Sequence, residues 1–269
     1  MIKTVILDDI DKVLHLLCEQ EQIESIGRYR NSYLYRGMHN ADWRIMTSLK
    51  RNCKDKQKEL EPVILRNFTK YAVNDDPKLE ESVWRQMIVG RHHGLPTRLL
   101  DWSRSPLIGL HFATNDSNLD SLSKHDGVVW RIDMEELHGL LPQKYQDALE
   151  PLHSFMMPIE LLSDVAKDLD TYDNDMGDSA MVVVEPPSIS TRIINQYSYF
   201  SLVPSYMDDI EGFLDKYTER TVRYIISKDI KWRTRDMLDQ LNVNERIVYP
   251  GLDGLTKWLA RRYYVKKDD

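Results

Sequence analysis

The chain has 269 residues, of which 42% are hydrophobic, enough to bury a sizeable core in one large domain. Its 36 Lys and Arg are outnumbered by 43 Asp and Glu, so the net charge of -7 excludes a generic basic footprint for nucleic acid while leaving room for a local basic groove. Cys18 and Cys53, the only two cysteines, make neither a disulfide framework nor a cysteine metal site, and the expected compartment is a reducing cytoplasm.

Met1 to Leu7 is too short an apolar run for an export signal, and no stretch approaches the ~18 to 20 apolar residues of a membrane span. Ile10, Val13, Leu14 and Leu17 recur at helical spacing behind Asp8 and Asp9, which predicts a first helix in an N-terminal helical segment over residues 1–30. Ser32 to Tyr35 reads as a strand ending in Arg36-Gly37, where glycine permits a turn or a close backbone approach.

Glu59 to Val73, entered through Pro62, and Glu81 to Arg91 read as helices, the second stopped by Gly94 and Pro96. A strand from Thr97 to Trp102 leads through Ser105-Pro106 into a helix over Leu107 to Thr114. Strands are expected at Val128 to Asp133, Met181 to Glu185, Thr191 to Leu202 and Thr221 to Ser227. The stretch between the first two of these is mostly helical, with Asp168 to Asp178 as a mobile acidic loop. Helices over Lys231 to Leu241 and Leu252 to Tyr264 close the chain, joined by a loop over Asn242 to Tyr249.

Two segments carry a family resemblance. Tyr35-Arg36-Gly37, followed by Trp43 and Ser48-Leu49, resembles the aromatic-Arg-Gly pattern of the FRG family, and His92-His93-Gly94-Leu95-Pro96-Thr97-Arg98-Leu99-Leu100-Asp101-Trp102-Ser103 is close to that family's central signature. Asp126 to Trp130 resembles its next strand. Arg192-Ile193 with Gln196 and Phe200 resembles a later element, except that Tyr197-Ser198-Tyr199 fills the place of a glycine. The similarity extends to Pro250 and Asp253-Gly254-Leu255, and so covers a single domain with its core over residues 31–260.

The resemblance implies an α+β fold, a central mixed or antiparallel sheet flanked by helices, with an order of elements like that of ADP-ribosyltransferases. By that analogy Arg36 ends one strand, Ser103 ends another before a helix, and Glu185 or Gln196 supplies a later acid or amide. NAD would be the co-substrate and a macromolecule the acceptor, as in a toxin or phage-defence effector. Cleaving the nicotinamide bond develops positive charge on the ribose while cations hold the pyrophosphate. Arg36 beside Gly37 suits the latter, and Trp102 suits stacking on nicotinamide.

The remaining candidates have structural readings beside the chemical ones. Arg36 would pair with Asp101 inside the domain; His93, a possible base, sits where a histidine caps a helix; Arg98 and Asp101 line a pocket or brace the core. Tyr35, Thr97 and Arg192 complete the set of expected ligand contacts, and no metal is expected because His92-His93 point apart on a helix. Arg261-Arg262 and Lys266-Lys267, interleaved with Tyr263-Tyr264, form a basic cluster that suits either nucleic acid or solvent. A binding module without catalysis, and a hydrolase using His93 and Asp101 in proton transfer, are the rival classes.

Overall fold

A computed structural model describes residues 1–188 and 190–266. Its strands in chain order are β1 (Lys3–Leu7), β2 (Glu21–Ile23), β3 (Arg28–Arg30), β4 (Tyr33–Met38), β5 (Leu99–Ser103), β6 (Gly127–Asp133), β7 (Met157–Pro158), β8 (Val182–Glu185), β9 (Ser198–Leu202) and β10 (Val222–Ile226). Eight of them form one sheet in the order β1-β10-β6-β4-β5-β9-β8-β7, and β2 and β3 form a separate hairpin. The outermost pairs, β1 with β10 and β7 with β8, are parallel and the rest antiparallel, so the fold is α+β with a mixed sheet flanked by helices.

Strand alternation sorts the apolar residues into three cores. Leu34, Leu100, Trp102, Val128, Trp130 and Val183 share one face of the sheet. The opposite face carries two cores side by side. Leu99, Val182, Phe200 and Leu202 pack under helices that include Val83–His92, whereas Tyr33, Tyr35, Val129 and Tyr224 pack under helices Ile10–Leu17, Pro106–Ala113 and Lys231–Gln240. The seam between these two cores runs along the junction of β4 and β5.

That junction is open. β4 pairs with β6 over six residues, but β4 and β5 share a single bridge, Tyr35 opposite Ser103. Helix Pro106–Ala113 presses on β4 from below. A side chain at Gly37 would overlap the Gly109 carbonyl at 1.9 Å and the Ala113 amide at 2.6 Å, so the close approach expected of this glycine is a helix-on-strand contact.

Several local expectations are corrected. Residues 168–178 form no loop: Asp168 caps helix Leu169–Met176 by accepting from the Thr171 amide, and Tyr172, Asp173 and Met176 are buried. Thr191–Asn195 is a helix, capped by Ser190, and only Ser198–Leu202 is strand. Asn242 to Tyr249 contains the short helix Glu245–Val248. Pro62 lies six residues into helix Gln57–Ala72 rather than at its first turn. The N-terminal segment also contributes more than a helix, since β1 adds an edge strand to the sheet.

Lys231 carries a prediction of its own. It is 1% exposed, and its ammonium donates to the His39 carbonyl at 2.6 Å. Burial lowers its pKa to about 8, against the opposing pull of Asp116 and Asp126. Between about 8 and the ordinary 10.5 the unfolded chain holds a proton that the folded chain has released, so stability rises with pH across that window. The whole shift corresponds to about 3 kcal/mol. Denaturant unfolding of wild type and Lys231→Met from pH 7 to 10.5 tests this: wild type should gain on the variant as pH rises, and parallel curves would refute it.

Candidate functional site

A cavity of about 350 Å³ lies at the seam where β4 and β5 diverge. β4 contributes Tyr35, Arg36 and Gly37, β5 contributes Asp101, Trp102 and Ser103, and β9 adds Ser198. Helix Val83–His92 supplies Arg91 and His92 on one side, helix Pro106–Ala113 supplies Ile108 and Phe112 on the other, and helix Thr191–Asn195 closes it with Arg192 and the adjoining Gln196.

Arg36 fills the break in the sheet. It is paired with Trp130 of β6, and its NH1 donates to the Asp101 carbonyl at 2.8 Å, where a regular ladder would have placed a backbone amide. The same nitrogen stands 3.7 Å from the Asp101 carboxylate, so the anticipated Arg36–Asp101 pair exists. Arg36 Nε is buried and has no partner among the described residues. Burial works against the charge on Arg36, Asp101 supports it, and the guanidinia of Arg91 and Arg51 oppose it again.

Asp101 is shared. Arg91 grips it with Nε and NH2 and donates NH1 to the Ser48 hydroxyl at 2.9 Å. Burial alone would raise the Asp101 carboxyl, but Arg91 and then Arg36 overcome it and hold its pKa below the ordinary value. Its side chain is 44% exposed, and that open side faces the cavity. Asp101 is therefore a carboxylate near neutral pH, and it is the only one among the described residues lining the cavity, against Arg36, Arg91 and Arg192.

Arg192 differs from the other two arginines. Its guanidinium lies 5.2 Å from the centre of the Tyr249 ring, and no salt bridge includes it among the described residues. The N–H donors of Arg192 are thus available to a ligand. His92, in edge contact with His93, has its pKa lowered by burial and then by His93 and Arg192, which keeps the ring neutral near pH 7.

Other expected site residues are occupied structurally. The Ser103 hydroxyl donates to the Gln196 carbonyl at 2.6 Å and accepts from the Ser105 amide at 3.0 Å, which pins the turn into helix Pro106–Ala113. Gln196 donates its Nε2 to the Val248 carbonyl at 3.0 Å and keeps its Oε1 near the Ser198 hydroxyl at 3.5 Å. Trp102 is 2% exposed and donates to Ser201 at 2.9 Å, so it packs the core instead of offering a face for stacking. Tyr35 is equally buried, and burial first, then Glu19, raises its phenol.

Four expected residues lie away from the cavity. His93 is exposed at the end of helix Val83–His92, and Glu185 is exposed at the end of β8 beside β7. Thr97 and Arg98 are buried: the Thr97 carbonyl accepts from the Leu49 amide, and Arg98 braces Glu61 and Asp173. Sequence reasoning did not single out Arg91 or Phe112 as site residues. Arg91 stands one residue before the quoted signature and Phe112 inside the helix that follows it, so their proximity to the motif was the available signal.

Residues 31–121 match the family model of the FRG domain. The chain carries an FRG domain. Neither a curated protein nor a solved structure gives a significant match. The FRG match runs from β4 through helix Pro106–Ala113, so it supplies Arg36, Arg91, Asp101 and Phe112, while Arg192, Gln196 and Ser198 complete the FRG cavity from beyond it. Tyr197, the first of the three residues that fill the place of a glycine, has φ of 48°. The backbone there is left-handed, a conformation that costs a residue with a side chain more than it costs glycine.

Proposed function

We propose that the cavity takes a phosphate-bearing nucleotide, with NAD as co-substrate, and that the domain transfers ADP-ribose to a macromolecule. The observation that carries this is the charge balance: three guanidinia face one carboxylate in a 350 Å³ cavity. An anion entering there relieves the repulsion among Arg36, Arg91 and their neighbours and gives Arg192 an acceptor. The partnerless Nε of Arg36 fits the same demand.

In the proposed reaction the bond between nicotinamide nitrogen and ribose C1′ breaks, and nicotinamide leaves as a neutral base with the bonding pair. An acceptor atom then bonds to C1′ and releases its proton. Asp101, charged and open to the cavity, is the group that stabilises positive charge on the ribose, and Arg36 and Arg91 fix its position. Phe112 and His92 present partly open rings for the nicotinamide or adenine. Such an activity on a macromolecule would suit a toxin or phage-defence effector.

Recognition without turnover is the second reading. It is favoured by Glu185 standing outside the cavity and by Asp101 being held between two guanidinia. Calorimetric titration of NAD, with assay of released nicotinamide, separates the two. Arg192→Ala removes an exposed side chain and should weaken NAD by roughly 10- to 100-fold, the worth of hydrogen bonds to a charged group. Nicotinamide release supports transfer, binding without release supports recognition, and no binding of NAD by wild type sinks the transferase reading.

A further inference from the structure

Four exposed cations continue from the cavity edge across the C-terminal part of the chain. Arg192 rests on the Tyr249 ring at 5.2 Å and Lys257 on the same ring at 5.3 Å. One residue further on, Trp258 carries Arg246 at 4.9 Å and Arg262 at 5.2 Å. The two groups share helix Leu252–Arg262, which carries Lys257, Trp258 and Arg262, and the first group borders the cavity through Arg192.

None of these four forms a salt bridge among the described residues, not even Lys257 with Asp253 four positions earlier on its own helix. The buried arginines, by contrast, are each matched to a carboxylate: Arg98 to Glu61, and Arg235 and Arg261 to Glu245. In a chain of net charge -7, four such cations on two aromatic rings concentrate positive charge on one part of the surface. Stacking orders a guanidinium through its flat face and leaves its N–H donors, which lie in the ring plane, free for oxygen acceptors.

We infer that this strip docks the phosphate backbone of a nucleic acid and so presents a polynucleotide to the cavity as acceptor. The docking stands on the strip alone; the role as acceptor rests on the transferase reading above. Phosphates match the free guanidinium edges, and Tyr197, 54% exposed between the cavity residues Gln196 and Ser198, offers a ring on which an unpaired base can stack. An acidic peptide would meet the charges and leave that ring without a partner.

The strip differs from the basic cluster read from the C-terminal sequence. Arg261 is buried and bound to Glu245 and Asp239, the Tyr264 ring stacks on Trp232 at 5.3 Å, and Lys267 lies outside the described residues. Only Arg262 belongs to both.

The test is fluorescence anisotropy with labelled single-stranded RNA, single-stranded DNA and duplex DNA over a salt series, using wild type and Arg246→Glu/Arg262→Glu. Both substituted side chains are exposed and neither lines the cavity. Four phosphate contacts on a single strand predict a slope of log affinity against log salt of about -3, and the double variant should bind at least about tenfold more weakly with roughly half that slope. NAD titration should be unchanged by the two substitutions. Absence of oligonucleotide binding at low salt, wild-type affinity in the double variant, or tighter binding of polyglutamate would each overturn the inference. Oligonucleotide binding that behaves as expected in a protein that does not bind NAD would keep the docking and remove the acceptor role.

Discussion

Replacing Arg98 by Ala should cost about 3–5 kcal/mol of stability, the penalty for leaving buried charge without its partner. Arg98 donates Nε to both oxygens of Glu61, at 2.9 and 2.8 Å, and NH1 to Asp173 at 2.5 Å. Glu61 and Asp173 are each 1% exposed, so no water stands ready to replace the guanidinium. Burial, resisted by Arg98, already raises the Glu61 pKa. The triad ties helices Gln57–Ala72 and Leu169–Met176 to the start of β5, three residues before Asp101, and Asp173 also accepts from Ser205. Urea unfolding measures the effect. A loss below about 1 kcal/mol, the range of exposed pairs, would mean that the carboxylates reach water and that the triad is not the brace described.

Glu245→Ala should have an effect of similar size and, in addition, disturb the cavity. Glu245 accepts from Arg235, which is fully buried, and from Arg261 Nε at 2.7 Å and NH2 at 2.9 Å. Asp239 remains for Arg261, whereas Arg235 keeps only His111, whose pKa burial and then Arg235 and Arg261 hold far below its usual value. The expected loss is about 3–5 kcal/mol. The short helix begun by Glu245 supplies the Val248 carbonyl that fixes Gln196 and the Tyr249 ring under Arg192. NAD affinity, measured where the variant is still folded, should therefore fall as well. Lost stability with unchanged affinity would show that this wall of the cavity holds its shape without the network.

The two predictions rest on residues whose importance is unequal in sequence and in space. Arg98 sits in the FRG signature and reads as a site residue, yet it is a core brace; Glu245 lies in what reads as a connecting loop, yet it anchors a wall of the site. Arg36 and Asp101 were legible as a pair because a short polar pair inside apolar strands needs mutual neutralisation. Arg91 was not, because an arginine in the last turn of a helix is ordinary, and only the packing of Val83–His92 beside β5 turns it toward Asp101. Residues 168–178 misread because acidic composition suggests solvent, while Tyr172 and Met176, four apart, supply the buried face of a helix.

By itself the sequence determined the α+β class, the first helix, most strands of the sheet, and the FRG signature, because these depend on local periodicity, on caps and on contiguous motifs. At Gly37 it left a turn or a close backbone approach open, and the packing of the Gly109 carbonyl decided for the second. Tertiary structure alone decided that β4 and β5 part after one bridge, that Arg36 fills the break, and that Arg192 arrives at the same cavity from far along the chain. Strand order and the meeting of remote charges depend on how separately patterned faces share a core. Periodicity names those faces but does not pair them.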